Sequence, residues 1–127
     1  MTYARYSLRN LIKSFGFAFE GIHYAFIHNQ NLRIHFIFAT VVIAASIIFD
    51  VTPYEMGILG VMILLVISAE MINTSIEKMV DLITTEHKKE AKIAKDVAAG
   101  MVLLTSIGSV IVGALVFIPH IIFLFFK

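Results

Sequence analysis

Cysteine is absent from the 127 residues, which excludes disulfides, thiolate nucleophiles and Cys-ligated metals. Charge is scarce as well. Charged residues make up 15% of the chain, where a soluble domain carries roughly 25%. The formal net charge of +1 is too small to imply a nucleic-acid partner. No G-x-x-x-x-G-K-[ST] or G-x-G-x-x-G motif is present, so neither a P-loop nor a dinucleotide fold is supported. Gly16 and Gly21 have the spacing of the first P-loop pair, but Ile22-His23 follows where Lys and Ser or Thr are needed. The histidines (His23, His28, His35, His87, His120) form no i,i+4 pair and no H-E-x-x-H, which argues against a zinc site. No Ser, His and Asp arrangement stands out, and there is no internal repeat. The N-terminus does not read as a signal peptide, because Arg5, Arg9 and Lys13 interrupt its apolar residues.

Apolar residues fill the space left by charge. Hydrophobic residues reach 59% and mean hydropathy is +0.90, as in a chain solvated by lipid. The expected fold is therefore all-α and integral to the membrane, with one domain over 1–127. Residues 5–27 place Arg5, Arg9, Lys13, Gly16, Glu20 and His23 at helical steps of three or four, with Leu8, Leu11, Ile12, Phe15 and Phe19 around them. Such an amphipathic helix tends to lie in the headgroup plane rather than cross the bilayer. A first span is expected over 32–50, its stretch from Ile34 to Phe49 apolar apart from His35, with Asn31 and Arg33 able to snorkel at its start. Thr52-Pro53-Tyr54-Glu55 has the form of a capping box and starts a second helix at Pro53. That helix is hydrocarbon through Ala69, then acquires polar residues and runs to 84, long enough to emerge into water. A third span covers 90–126, where Ser109 and Gly113 have small-xxx-small spacing. Basic residues cluster before the first span and between Lys78 and Lys95, which places the N-terminus and that connection in the cytoplasm.

Glu70, Asn73, Glu77 and Asp81 follow at spacings of 3, 4 and 4 and share one helix face. Carboxylates stacked at a membrane surface repel one another unless cations or partners neutralise them. Glu70 is the deepest and has no basic residue within a turn on its own helix, which marks it as a functional candidate. Lys88, Lys89, Lys92 and Lys95 follow closely. An acidic face able to hold Mg²⁺ beside lysines able to hold phosphates is the charge arrangement a nucleoside triphosphate needs. A second reading from another class is a non-catalytic membrane subunit that uses the acidic face as a cation site.

The run Ala69-Glu70-Met71-Ile72-Asn73-Thr74-Ser75-Ile76-Glu77, with Val80-Asp81 and Ala94-Lys95-Asp96, resembles the small bacterial diacylglycerol kinase/undecaprenol kinase family. Lys13-Ser14-Phe15, Ala18-Phe19-Glu20-Gly21-Ile22 and Leu32-Arg33-Ile34-His35 extend the match over nearly the whole chain. Arg33-Ile34-His35, Ile72-Asn73-Thr74 and Ile93 to Gly100 look more like the Gram-positive undecaprenol kinases. The resemblance implies a homotrimer of three-span subunits in the bacterial cell membrane, with shared active sites at the cytoplasmic face. MgATP is then the phosphoryl donor, and the acceptor is a lipid alcohol, undecaprenol or diacylglycerol. On matching positions it makes Glu70 the general base and Asn73 an orienting residue of the catalytic pair. Glu77 would hold Mg²⁺, Lys95 and Asp96 would contact ATP, Asp81 would support the nucleotide site, and Glu86 and His87 would lie near the adenosine. Two positions depart from the family pattern. Asn29 stands where a second metal-binding Glu is usual and offers Mg²⁺ a carbonyl oxygen without charge, which leaves room for an inactive relative, and Arg9, a nucleotide-site candidate, lies one place from the usual basic residue.

Overall fold

The computed structural model describes residues 8–125. Among them the chain is all α, with α1 at Leu8–His28, α2 at Gln30–Ile48, α3 at Pro53–Ile83 and α4 at Lys89–Phe125. The expected Arg5 and Phe126 ends of the first and last helices lie outside the described residues. Helices α2, α3 and α4 are each long and apolar enough to cross a membrane, and the chain is a membrane protein. Their outward surfaces carry exposed Ile37, Val41, Leu64, Leu104, Val110 and Leu115, which only lipid or another protein surface would solvate.

Helix α1 keeps nearly all its length exposed, with Ala25 its one buried residue among those described. Leu8, Leu11, Ile12, Phe15 and Phe19 form an uncovered apolar stripe, the surface a helix resting among headgroups requires. Its C-terminal end packs on α2 and α3. Phe26 meets Phe36 of α2 edge-on at 5.4 Å between ring centroids, and Lys78 of α3 lies 5.9 Å over the Tyr24 ring.

One residue separates α1 from α2. Asn29 has extended backbone (φ −109°, ψ 111°), and its side-chain oxygen accepts the Leu32 N–H as the N-cap of α2. The helix therefore starts two residues before the expected position 32. Arg33 Nη1 donates to the Ile27 carbonyl at 2.6 Å, satisfying one of the acceptors left open at the end of α1. Leu32, fully buried, pins the corner.

At its far end α2 stops in a reversal that glycine usually makes. Asp50 adopts φ 51°, and the bonds Asp50 N–H to Ile47 O and Val51 N–H to Ser46 O close a Schellman motif. Aspartate is one of the few side chains that tolerate this left-handed conformation. Val51 folds back into a small core with Leu59 and Val116. The capping box then starts α3: the Glu55 N–H donates to Thr52 Oγ1, and Glu55 Oε2 accepts the Thr52 N–H at 2.8 Å.

Helix α3 lies between α2 and α4 and packs most extensively on α4. Its 31 residues are about 47 Å long, beyond the ~30 Å hydrocarbon core, so one end must leave the apolar layer. The two helices run antiparallel and are tied at both ends: His120 Nε2 lies 3.6 Å from Glu55 Oε2, and Lys95 Nζ lies 2.6 Å from Asp81 Oδ1. Pro119 sits inside α4 and removes one backbone donor near its end.

Candidate active site

The polar half of α3 is built from one helical face, and each acid on it has different neighbours. Glu70 is only 1% exposed, an expensive place for a carboxylate. Three groups from other positions surround it. Asn29 Nδ2 donates to Glu70 Oε2 at 2.9 Å, and His35 Nε2 lies 3.5 Å from Glu70 Oε1. The second Nδ2 hydrogen of Asn29 goes to Thr74 Oγ1 at 2.7 Å, while the Thr74 hydroxyl donates to the Glu70 backbone carbonyl at 2.9 Å. Asn29 thus uses its oxygen for the cap of α2 and both of its N–H donors for α3 at once.

One turn further on, Asn73 Nδ2 donates to Glu77 Oε1 at 3.0 Å. Asn73 Oδ1 is buried and has no hydrogen-bond partner among the described residues. A buried unpaired carbonyl oxygen costs about 1–3 kcal/mol, so its retention beside a half-buried carboxylate calls for a partner from outside the described residues. Two hard oxygens from Asn73 and Glu77 suit Mg²⁺, which usually takes one or two protein oxygens and completes its shell with phosphate and water. No cluster of three or more His, Asp or Glu able to hold a metal alone occurs among the described residues. Asn29, as it stands, spends its carbonyl on the Leu32 N–H.

Asp81, Lys95 and Asp96 lie at the polar mouth between α3 and α4. Asp81 accepts from Lys95, and Asp96 from Lys92. With Thr84, Glu86 and His87 they line an open cleft of about 650 Å³, within the range of small-molecule sites. Glu86 and His87 are exposed in the connection between the helices, where Glu86 lies 3.5 Å from Lys88. Arg9 is exposed in the first turn of α1. Glu70 and Asp81 are eleven steps apart along α3, about 16 Å on the axis, with Asn73 and Glu77 between them.

The family model of prokaryotic diacylglycerol kinases matches residues 16–117. The chain belongs to that family. It is 40% identical over 111 residues to a diacylglycerol kinase of Synechocystis, covering 87% of this chain and 63% of that protein. It thus spans less than two thirds of that relative's length. Against the undecaprenol kinase of Bacillus subtilis it is 36% identical over 115 residues, covering 91% of this chain and 94% of the relative. The diacylglycerol kinase of Escherichia coli K12 is 26% identical over 110 residues.

Two residues of the Glu70 cluster escaped the sequence reading as site residues. Thr74 lies inside the Glu70–Glu77 run but offers no charge to draw attention. His35 carried a usable signal, as the one titratable group within an otherwise apolar span, yet its partner lies on another helix.

The pairing of Asn29 with Glu70 is testable by Asn29→Asp. Aspartate caps a helix as well as asparagine does, so only the two donors are lost, and a second carboxylate meets the buried Glu70. The substitution should cost about 3 kcal/mol or more at neutral pH, read as a lowered Tm of the detergent-solubilised protein. An unchanged Tm would mean that the amide does not support Glu70.

Proposed function

We propose that the chain is an ATP-dependent lipid kinase that transfers the γ-phosphoryl group to the primary hydroxyl of a membrane lipid alcohol, with undecaprenol as the acceptor. The buried Glu70, set where the apolar half of α3 turns polar, carries the reading. A lipid hydroxyl reaches only headgroup depth, and a nucleotide arrives only from water, so the reacting groups must meet at that boundary. The Glu70 carboxylate takes the proton from the lipid hydroxyl as it attacks. Asn29 and His35 hold the carboxylate in place, and the packing around it excludes water.

Asn73 and Glu77 are the residues to hold Mg²⁺, which when bound would neutralise charge on the transferring phosphates. Lys95, with its ammonium 2.6 Å from Asp81, is placed to exchange that carboxylate for phosphate oxygens. Asp96, Glu86 and His87 border the same cleft and serve the rest of the nucleotide, and Arg9 of α1, which does not line that cleft, is the remaining nucleotide contact. Phosphoryl transfer asks chiefly for positioning and charge neutralisation, which a few side chains on rigid helices can supply.

The basic residues around α1 and between α3 and α4 favour a cytoplasmic N-terminus and a cytoplasmic site in the bacterial cell membrane. A homotrimer with shared active sites accounts for two further features: the uncovered apolar faces, and the 16 Å or so between the Glu70 cluster and the Asp81 cleft within one chain. Diacylglycerol is the second acceptor to consider, because the Synechocystis relative at 40% identity is a diacylglycerol kinase. Purified protein offered labelled ATP with undecaprenol or diacylglycerol decides between them by which lipid phosphate forms. A non-catalytic cation subunit would form neither.

Glu70→Gln should abolish turnover, by at least a hundredfold, while leaving the assembly size in detergent unchanged. A variant of normal rate would refute the base assignment. Glu77→Gln should raise the Mg²⁺ concentration that gives half-maximal rate, since it removes a charged oxygen from the pair proposed to hold the ion. An unaltered Mg²⁺ dependence would place Glu77 outside the metal shell.

A further inference from the structure

A base that has taken a proton must lose it before the next turnover, and Glu70 has almost no contact with water. Its side chain is 2% exposed, and among the described residues two groups reach its carboxylate, the Asn29 amide and the His35 ring. The proton therefore leaves through a neighbour. Asn29 cannot take it, because its nitrogen only donates and its oxygen is turned away to the Leu32 N–H. The Thr74 hydroxyl is committed as well, accepting from Asn29 and donating to the Glu70 backbone carbonyl. His35 is left as the one neighbour able to accept a proton.

The imidazole is placed for that task. Its Nε2 lies 3.5 Å from Glu70 Oε1, about 0.6 Å beyond an ordinary N–H···O bond, the separation of a waiting acceptor. Such contacts tighten when the reacting complex forms. The His35 side chain keeps 23% exposure where Glu70 keeps 2%, and it stands five residues into α2, about 8 Å from the polar start at Gln30. One edge of the ring thus meets the sealed acid while another stays accessible. No second charge competes for it among the described residues. Helix α2 packs on α1 and α3, and Glu70 is the α3 group within ion-pair distance of the ring. Lys78 of α3 lies over Tyr24 of α1, His28 of α1 bonds the Tyr24 carbonyl, and Arg33 of α2 bonds the Ile27 carbonyl. From α4, Ser109 and Gly113 border the same pocket as His35, and neither titrates.

We propose that His35 carries the proton from Glu70 to water and so resets the base between turnovers, a step that rests on the kinase reading and completes it. The lipid oxygen bonds to the γ-phosphorus, the bond to the departing ADP oxygen breaks with its electron pair, and the hydroxyl proton passes to Glu70. The protonated carboxyl then donates to Nε2 of His35, in the tautomer that holds its hydrogen on Nδ1. The imidazolium gives its Nδ1 proton to water, and exchange with water restores the starting tautomer. Each cycle moves one proton from the alcohol to solvent. His35 is a positioning residue in this scheme, acting on the lipid only through Glu70.

His35→Gln keeps a polar side chain beside Glu70 but removes the proton acceptor. The full-length protein is mixed rapidly with MgATP and undecaprenol in detergent micelles, and lipid phosphate is followed from the first turnover. His35→Gln should form one product per site at the parental rate and then slow at least tenfold, because Glu70 starts without a proton and is not reset. A residue that merely braces Glu70 would slow the first turnover too; that result, or an unslowed steady state, overturns the proposal. His35→Ala opens room for added imidazole, whose free base should restore the steady rate and leave the parent unchanged. Failure of the free base to restore it counts against the proposal equally. Should neither variant assemble at the parental size, the parent alone decides. From about pH 8 to 5, where an imidazole ordinarily gains its proton, its steady rate should fall while its first turnover holds. Both falling together, or neither falling, overturns the proposal and leaves the kinase reading standing. A parent that phosphorylates no lipid alcohol overturns the kinase reading itself.

Discussion

The asparagine side chain at position 29 holds the polar end of this molecule together. Its oxygen starts α2, and its two N–H groups reach across to the buried carboxylate of Glu70 and the hydroxyl of Thr74. The corner between a surface helix and a spanning helix is thereby locked to the middle of α3. A carboxylate with almost no exposure survives only where donors replace the water it has lost. Placing a donor and the cap in one side chain makes the helix junction and the buried acid mutually dependent. A shift of α1 relative to α2 would leave Glu70 without its amide donor.

The acids along α3 illustrate how one helical face can present unlike sites. Regular spacing alone would stack like charges. Packing separates them into three situations: Glu70 enclosed against the α1–α2 corner, Glu77 half-buried beside Asn73, and Asp81 exposed and paired with Lys95 of α4. Enclosure falls with distance from the hydrocarbon. The gradient follows from the length of α3 rather than from any special sequence, because a helix longer than the apolar layer must pass through every environment between oil and water.

How much of this could be read from the chain depended on how local each determinant is. The start of α3 was legible to the residue, because Thr52, Pro53 and Glu55 form a capping box within four positions. The three spans were legible because hydrocarbon runs leave few alternatives. Helix α2 starts two residues before position 32 because Asn29 caps it, a role that the apolar run beginning after it does not mark. The left-handed turn at Asp50 was legible only as a turn, since Asp gives a weaker signal there than Gly. The acidic face was visible from its spacing, but the partners of Glu70 were not. Asn29 stands 41 residues away, and periodicity carries no information about which helix packs on which. The same limit hid the tie between Glu55 and His120 at the opposite end.

Continuity between the apolar and acidic stretches of α3 also matters for chemistry at a membrane surface. A lipid alcohol is anchored by its tail, so its hydroxyl is positioned only as well as the first few carbons beneath it. If those carbons moved freely, the base would meet the hydroxyl rarely, and the gain from prepositioning would be lost. A rigid helix carries Met62, Val66 and, one turn on, Glu70 on one face, so its apolar and acidic stretches are held in a single frame. His35 stands at their junction: it borders the apolar pocket beside Met62 and Val66, and its Nε2 lies 3.5 Å from Glu70 Oε1. The imidazole is therefore more than a partner for a buried charge. It marks the depth at which hydrocarbon contact must end and polar contact begin.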